Sequence, residues 1–458
     1  MRRLSAVLFV ALLTPRAIDA QGAIQPPEAD PRIQKLVASI SEERLASIVQ
    51  KLAGFGTRNT LSDTESPTRG IGAARQWIFD ELTRSSAKLQ VSFDIHKLAR
   101  QGRITRNVDL RNVVAMLPGK SPRRIYVTAH YDTVNIGEEG QISANTRAPS
   151  NTPRPDPQLR RNQDYNVDAP GANDNGSGTA LTMELARVFA ESGVEFEATL
   201  VFALWAGEEQ GLIGARAHAM DLYKDKVPVD ADFNNDIVGN SRGGDGTTDA
   251  ASVRVYSEGP EDSMSRSLAR YIGRMAALYV PSHRVRLMAR QDRFSRGSDH
   301  TAFTQYGFPA VAFRESKEDF SRQHAAGDTV DGVDPQYLAR NTRVNAAAVA
   351  SLALAPPTPV ITNPRGQMMI GRQPSGYDAN LRWNAAPGAT AYRIYWREAW
   401  TADWQQTQLV GNVTEFNLPK LSIDNYVFGI AAVGADGHES LVSAYVPPPR
   451  RDPVIKLR

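Results

Sequence analysis

The sequence predicts a three-layer α/β domain with a mixed, largely parallel sheet, followed by a smaller all-β domain. The run from Ala198 to Trp205 is apolar except for Thr199, as is typical of a strand buried on both faces in the middle of such a sheet. Runs of this kind alternate with helical patterns as far as Leu354, which is the alternation expected of an α/β domain. After the linker Pro356–Pro359 only strand and turn patterns remain.

The elements of the α/β domain can be assigned in chain order. Apolar residues recur at helical spacing over residues 33–53, which predicts one amphipathic helix there. The last helix is predicted to run to Leu354, because Asp334 is a favourable N-cap and Pro335 suits the first turn. Between these two helices the patterns predict a helix at Gly70–Leu82, a strand at Arg124–Ala129, a helix at Thr179–Ser192, the buried strand, a helix at Leu212–Tyr223 and a strand ending at Asp236.

These assignments divide the chain into a signal peptide at 1–20, an α/β domain at 33–354, a linker at 355–359 and a β-sandwich at 360–447. The segments ANLRW, AYRIYW and YVFGIAAV alternate with turns, which predicts the sandwich. Residues 135–170 are polar and lack periodicity, so they are predicted to form a long loop. Both a lid over the active site and a disordered insertion fit that loop.

The first twenty residues have the features of a secretory signal peptide. Arg2 and Arg3 precede an apolar run from Leu4 to Leu13, which is too short to span a bilayer, and small residues follow near Ala20. Subtracting the net charge of +2 of this segment from the net charge of +3 of the whole chain leaves about +1. A nearly neutral chain gives no basic field for nucleic acid or anionic lipid. The absence of cysteine excludes disulfides, thiolate metal ligands and thiol nucleophiles.

Candidate ligands for a metal follow the predicted strands. Ligands in open α/β sheets bind beyond the carboxyl ends of the strands. Two adjacent carboxylates there require a cation or a proton, because like charges so close together cannot both ionise unaided. Imidazole and carboxylate together suit zinc best, although cobalt or manganese could be accepted. The residues at these positions are His130, Asp174, Glu208, Glu209, Asp236 and His324.

Each of these residues also has a simpler structural explanation. His130 could be a hydrogen-bonded structural residue, Asp174 could cap a helix, and the Glu208-Glu209 pair could lie at an exposed helix start. The explanations lose force when all the residues fall at one sheet edge. Other catalytic motifs do not fit, because the chain has no P-loop ending, no dinucleotide fingerprint, no G-x-S-x-G elbow and no H-E-x-x-H pair.

Several motifs together resemble the co-catalytic two-zinc exopeptidases, the family of the bacterial leucyl aminopeptidases, the Streptomyces-type aminopeptidase and glutamate carboxypeptidase II. The resemblance spans most of residues 35–354, and the motifs occur in the family's order. The motifs are His130-Tyr-Asp132, Gly171-Ala-Asn-Asp174-Asn-Gly-Ser-Gly178, Trp205-Ala-Gly-Glu-Glu209, Asn235-Asp236, Ser298-Asp-His300 and His324…Asp328-Thr329. Residues 358–447 resemble a fibronectin type III module.

The resemblance implies a role for each residue of the site. His130 and Asp236 would bind one zinc ion, Glu209 and His324 would bind a second, and Asp174 would bridge both. Asp132 would orient His130, and Glu208 would be the general base. In the implied reaction, a hydroxide bridging the two zinc ions attacks the scissile carbonyl, and Glu208 passes its proton to the departing amine. The family also leads us to expect a cis peptide after Asp174.

The Ser298-Asp299-His300 motif is expected to shape the floor of the site and cap a helix rather than bind metal. One position departs from the family pattern. Some relatives carry a tyrosine that holds the oxyanion three residues before this serine, where the present chain has Ser295. Whether Phe294 displaces that donor or Tyr256 replaces it is left open by the sequence.

The favoured function is an exported aminopeptidase that acts on the N-termini of peptides or proteins. The alternatives are a carboxypeptidase or dipeptidase of the same family, and a glutaminyl cyclase, which has the same fold with one zinc. A non-catalytic scaffold is disfavoured because no ligand is missing. We expect a secreted or periplasmic protein without nucleic acid partners and without membrane insertion after signal cleavage. The C-terminal module is either a spacer or a binding module for substrate, polysaccharide or the cell surface.

Overall fold

The structure is a computed structural model that describes residues 28–137 and 165–447. The predicted signal peptide and most of the predicted 135–170 loop lie outside these ranges. The described part of the chain contains no helix long and apolar enough to cross a membrane.

Helices cover both faces of the central sheet. They are α1 Pro31–Ala38, α2 Glu42–Ala53, α3 Gly70–Ser85, α4 Gly176–Glu191, α5 Ile213–Lys224, α6 Met264–Tyr279, α7 His300–Gln305 and α8 Pro335–Leu354. The single helix predicted over residues 33–53 is wrong, since the helix is interrupted at Ser39–Ser41. Ser41 is extended and its side chain accepts the backbone N–H of Arg44, so it caps a new helix that keeps the same apolar face buried. Asp334 caps α8 as predicted.

The central sheet contains eight strands in the order β1-β2-β4-β3-β5-β8-β6-β7. Its strands are β1 Gln90–Leu98, β2 Val108–Leu117, β3 Ser121–His130, β4 Ala198–Trp205, β5 Val229–Asn235, β6 Ser252–Ser257, β7 Arg284–Met288 and β8 Ala310–Glu315. Strands β4, β3, β5 and β8 are mutually parallel, whereas β1, β2 and β6 pair with antiparallel neighbours. The prediction of a mixed, largely parallel sheet is therefore confirmed.

Strand β4 has every residue buried, as its apolar sequence predicts. It pairs with β3 in a register that places Trp205 beside His130, so both strands end at the same edge of the sheet. Strands β5 and β8 are parallel to β3 and end there too. The topology thus brings the segments after these strands together.

The C-terminal region is all-antiparallel, with two sheets in the orders β13-β10-β9 and β12-β11-β14-β15. Its strands are β9 Ile370–Gly371, β10 Ala379–Arg382, β11 Ala391–Glu398, β12 Gln406–Val410, β13 Glu415–Leu418, β14 Tyr426–Val433 and β15 Ser443–Ala444. Trp383 and Tyr392 pack together inside its hydrophobic core. The β-rich character is confirmed, while the likeness to fibronectin type III and the exact domain boundaries stay predictions.

This region docks on helix α6. The side chain of Ser267 donates to the carbonyl of Val442 at 2.9 Å and accepts the N–H of the same residue at 3.0 Å. The guanidinium of Arg397 binds both carboxylate oxygens of Asp262, at 2.7 and 2.8 Å. These directional contacts fix the β-region on the α/β domain.

Candidate active site

The sequence-predicted ligands meet at one edge of the sheet. His130 is the last residue of β3, and Asp174 lies in the turn before α4. Glu208 and Glu209 follow β4, while Asp236 and His324 follow β5 and β8. All are buried or nearly so except His324, whose side chain is 28% exposed. Helix α4 begins at Gly176 with Asn175 as its N-cap, so the alternative role of Asp174 as a helix cap is wrong.

Asp174 lies between the two histidines. Its Oδ1 is 3.4 Å from Nε2 of His130, and its Oδ2 is 3.1 Å from Nε2 of His324. On the first side, Nε2 of His130 is also 3.4 Å from Oδ1 of Asp236. On the second side, Nε2 of His324 is 3.5 Å from Oε2 of Glu209. The peptide Asp174–Asn175 is cis, as expected from the family resemblance.

The donor set fits metal ions. Oδ2 of Asp174 and Oδ1 of Asp236 are buried and accept no hydrogen bond within the described residues, although each faces a histidine nitrogen. Potential ligand atoms lie within 4.8 Å of one another in two sets, His130/Asp174/Glu209 and His130/Glu208/Asp236. His324 is absent from these compact sets, but its contacts with Asp174 and Glu209 place it at the site. Nitrogen and carboxylate donors facing an enclosed point are the ligands of zinc.

The electrostatics show that the site needs positive charge. Burial raises the pKa of Glu208 to about 8 and the pKa of Glu209 well above its usual value. Burial opposes protonation of His130, but the surrounding carboxylates outweigh it and raise its pKa. Burial likewise opposes ionisation of Asp174, yet the two neighbouring histidines outweigh it and lower the pKa of this carboxyl. A cluster that retains protons on carboxyl groups in this way is suited to cations.

The carboxylate of Asp132 supports the loop that carries the two glutamates. Its Oδ1 accepts the backbone N–H of Glu208 at 3.1 Å, and its Oδ2 accepts that of Glu209 at 3.3 Å. The hydroxyl of Thr60 donates to Oδ2 at 3.1 Å and accepts the N–H of Gly207 at 3.0 Å. Nδ1 of His130 lies 3.1 Å from the carbonyl oxygen of Asp132 and 3.6 Å from its carboxylate. Asp132 therefore contacts both the first histidine and the glutamate loop.

Two further residues hold the turn that carries Asp174. Asp328 accepts the backbone N–H of Asn173 at 3.0 Å and that of Asp174 at 2.8 Å. Arg58 is fully buried and donates to the carbonyls of Tyr131, Gly171 and others, which ties the turn to the end of β3. Asp328 belongs to a quoted motif, whereas Arg58 was missed because its sequence surroundings carry no periodic or motif signal.

A buried ion-pair chain lies behind Asp236. Arg314 of β8 pairs with Oδ2 of Asp236 and donates to the backbone carbonyl of the same residue at 2.9 Å. Its other terminal nitrogen donates to Oδ2 of Asp292 at 2.9 Å. Because Arg314 holds Oδ2, Oδ1 of Asp236 remains facing His130. The available sequence signal was a charged residue inside the apolar run AVAFRE.

The Ser298-Asp299-His300 motif lies at the start of α7. Asp299 is the N-cap residue of α7, as the expected capping role of the motif requires, although its carboxylate forms no capping hydrogen bond. Both of its oxygens are buried without a hydrogen-bond partner among the described residues, and burial raises its pKa. Phe294, the residue considered as displacing the tyrosine donor, is exposed. Tyr256, considered as its replacement, is buried, and its hydroxyl accepts a hydrogen bond from Arg254 at 3.0 Å.

The described flanks of the long loop lie close to the site. The N–H of Ile136 donates to the carbonyl of His324 at 3.0 Å. On the other flank, Ala169 forms a bridge with Thr57, next to the buried Arg58. The loop therefore leaves and re-enters the fold beside the proposed ligands, while its role as a lid stays a prediction.

Comparisons with known proteins agree with this geometry. Residues 112–349 match peptidase family M28. The chain is 36% identical to a probable zinc metalloprotease of Pyricularia oryzae, over 91% of this chain and 84% of that protein. It is 35% identical to a probable zinc metalloprotease of Leptosphaeria maculans, over 90% of this chain and 96% of that protein.

Solved structures share the fold at lower identity. The LapA aminopeptidase of Legionella pneumophila superposes with a TM-score of 0.53 at 18% identity, covering 77% of this chain and 80% of that chain. The glutaminyl cyclase of Porphyromonas gingivalis superposes with a TM-score of 0.51 at 15% identity, covering 68% of this chain and 98% of that chain. At such identities the likeness concerns the fold alone.

Proposed function

The chain belongs to peptidase family M28 and is a zinc metalloprotease, and we propose that it is an exported aminopeptidase that removes residues from the N-termini of peptides. The observation that carries the proposal is the position of Asp174. Its two oxygens face different histidines, and each histidine faces a different second carboxylate, Asp236 or Glu209. This arrangement supports two metal positions that share one bridging carboxylate.

The residues of the chain divide the chemistry between them. His130, Asp174 and Asp236 would hold one zinc ion, and Asp174, Glu209 and His324 a second. Bound zinc lowers the pKa of water and polarises a carbonyl group. Glu208 is not needed as a ligand and is half-buried beside the cluster. We assign it the uptake of the proton from the attacking water and its return to the departing amine.

The environment of Glu208 suits this role. Burial raises the pKa of Glu208 to about 8 in the metal-free site, and the positive charge of bound zinc would lower it again, which brings both protonation states of the carboxyl within reach. Its backbone N–H is fixed by the carboxylate of Asp132, which limits movement of the loop. Asp132 is thus a positioning residue for the base as well as for His130.

A glutaminyl cyclase is the second candidate, and one contact favours it. Arg314 already pairs with Oδ2 of Asp236, so only Oδ1 of that carboxylate is left for a metal, and this is compatible with a site that holds one zinc. Cyclases share the fold, as the superposition with the Porphyromonas protein illustrates. The complete pair of clusters around Asp174 favours the peptidase. A carboxypeptidase or dipeptidase of the same family is also compatible with this site.

Export and partners complete the proposal. The Arg2-Arg3 pair followed by the apolar run to Leu13 supports a signal peptide, and thus a secreted or periplasmic enzyme. Peptide or protein N-termini are its substrates in this proposal. The docked β-region would act either as a spacer or as a module for substrate, polysaccharide or the cell surface.

The test is hydrolysis of a panel of aminoacyl-nitroanilides beside their N-acetylated forms, together with a count of bound zinc. We expect cleavage of free amines only, loss after chelation, recovery with zinc, and two zinc ions per chain. Glu208→Gln should retain the metal but lose about 100-fold to 10,000-fold in kcat, the usual contribution of general acid-base catalysis. One zinc per chain with cyclisation of N-terminal glutamine would favour the cyclase. Cleavage only from the carboxyl end would identify a carboxypeptidase.

A further inference from the structure

A large cavity lies between the α/β domain and the C-terminal β-region, and it is separate from the metal cluster. Its volume is about 1200 Å³. One wall is helix α6, and the other is formed by β11, β12 and the loop after β14. Cavities at domain interfaces with a mainly apolar lining and a few polar groups are typical ligand sites. The apolar part of this lining consists of Met275, Leu278, Tyr279, Leu409 and Val433, together with the rings of Tyr271 and Tyr395.

One charged group of the lining has no polar partner. The guanidinium of Arg274 lies 5.6 Å from the ring centroid of Tyr271 and 5.7 Å from that of Tyr395. It forms no hydrogen bond or ion pair with any residue in the described ranges. The two rings come from opposite walls and hold the guanidinium between them, as arginine stacks on aromatic faces. The five N–H donors of Arg274 therefore remain available to a ligand.

The other charged side chains of the lining, apart from the exposed Glu28, are paired within the wall. They form the pairs Arg393 with Glu439 at 2.5 Å, His438 with Asp30 at 2.9 Å and Arg32 with Asp436 at 2.7 Å. The carboxylates of Asp30, Asp436 and Glu439 therefore have partners other than Arg274. Among the described residues, Arg274 is the arginine of the lining that lacks a carboxylate partner, and the group that would pair with it is an anion.

We propose that this cavity binds the C-terminal carboxylate of a peptide with apolar side chains, with Arg274 as the carboxylate ligand. A guanidinium matches a carboxylate with two parallel hydrogen bonds, which gives both strength and geometry. The tyrosine, leucine and methionine side chains provide apolar surface for the last residues of the peptide. The paired polar groups of the wall suit peptide amides better than a plain hydrocarbon chain. The proposal does not depend on the catalytic assignment.

The experiment is calorimetric titration of the full-length, zinc-loaded protein with N-acetyl-Leu-Leu-Phe and with its C-terminal amide. The acetyl group prevents removal of residues from the N-terminus, and chromatography of the mixture reports any other cleavage. We expect the acid to bind at least about 10-fold more tightly than the amide, as for loss of a charge-assisted pair. Arg274→Gln should bring the acid to the level of the amide. Arg382→Gln, an exposed arginine of the β-region outside the lining, should leave both affinities unchanged.

Three results would overturn the proposal. Equal affinity for the acid and the amide, or no binding of either, would exclude recognition of the carboxylate in the unmodified protein, whatever the variant does. An undiminished preference for the acid in a folded Arg274→Gln protein would place the carboxylate elsewhere, for example at the metal site. Decanoate that binds as tightly as the peptide acid would show that the ligand is not a peptide.

Discussion

The backbone N–H of Glu208 donates to Oδ1 of Asp132 at 3.1 Å. This contact joins the loop after β4 to the loop after β3, and the second oxygen of Asp132 repeats it with Glu209. The proposed base and its neighbouring ligand are thus held by one carboxylate. Their positions depend on an acceptor that no other residue type provides with the same geometry.

Asp132→Asn should lower kcat by about 10-fold to 100-fold, the range for loss of an outer-sphere partner at a metal site. In asparagine one of the two acceptor oxygens is replaced by an NH₂ donor, which cannot accept the backbone N–H of Glu208 or Glu209. The two donors would repel each other and displace the glutamate loop. Steady-state kinetics with a zinc count would measure the effect. Asp334→Asn is the matched control, because asparagine caps α8 as well as aspartate does, and the Asp334 carboxylate accepts N–H groups of α8 rather than of the glutamate loop. Unchanged kcat in Asp132→Asn would contradict the positioning role.

Arg314→Lys should weaken metal binding on the His130 side by about 10-fold, since lysine cannot bridge Asp236 and Asp292 with a fork. Zinc titration of the stripped protein, followed by activity, would measure the effect. Arg123→Lys is the control, because Arg123 pairs with Asp230 near the start of β5, at the opposite end of the strand from Asp236. It should alter stability without changing the zinc titration. Equal titration curves for both variants and the parent would remove the proposed role of Arg314.

Asp232→Asn should flatten the dependence of stability on pH. Asp232 is wholly buried, and burial raises its pKa to about 8. Its only hydrogen-bond donor among the described side chains is the hydroxyl of Thr128 at 2.8 Å. The folded state therefore holds the proton more tightly than the unfolded state, in which the pKa is 3.8. The contribution of Asp232 to the free energy of unfolding is therefore fully present below about pH 4, and it is lost as the pH rises toward about 8.

Urea unfolding at pH 5.5 and at pH 8.5 would measure this effect. Between the two pH values, the free energy of unfolding of the parent should fall by about 1–3 kcal/mol more than that of the variant. The expected value is somewhat less than about 1.36 kcal/mol for each pH unit through which Asp232 stays protonated in the folded state only. Parallel losses in the two proteins would show that Asp232 does not titrate in this range.

Metal removal should destabilise the fold. Without cations, the buried carboxyls at the sheet edge must keep protons or repel each other, as their raised pKa values indicate. Chelation is expected to lower the Tm by about 5–10 °C. This is the effect of removing a ligand whose Kd lies well below its free concentration. Calorimetry would record the shift, and Asp174→Asn should abolish most of it. An unchanged Tm in the parent would argue against metal at this site.

Arg397→Gln should loosen the C-terminal region without affecting catalysis. The Arg397 side chain is almost fully buried against Asp262, and its loss leaves that acid uncompensated. Stability should fall by about 3–5 kcal/mol, in line with the loss of one partner of a buried ion pair. Denaturant unfolding and kcat would be compared with those of the exposed Arg382→Gln. A parallel loss of kcat would indicate that docking of the β-region reaches the active site.

The sequence was sufficient for the elements whose signal is local. The continuous apolar run of β4 predicted a central strand, and strand β4 is buried throughout. The residues after parallel strands could be placed at one edge because parallel strands end together. The predicted helix over 33–53 failed at Ser41, where a side-chain cap interrupts a pattern that periodicity alone reads as continuous.

The sequence by itself determined which residues could carry the chemistry, because ligand type and position after a strand are written locally. Only the tertiary structure decided how these residues act together. The bridging position of Asp174, the grip of Asp132 on the glutamate loop and the pairing of Arg314 with Asp236 join residues far apart in the chain. The same is true of Arg274, whose two tyrosines come from different domains. Such contacts arise from packing between distant segments, on which local patterns carry no information.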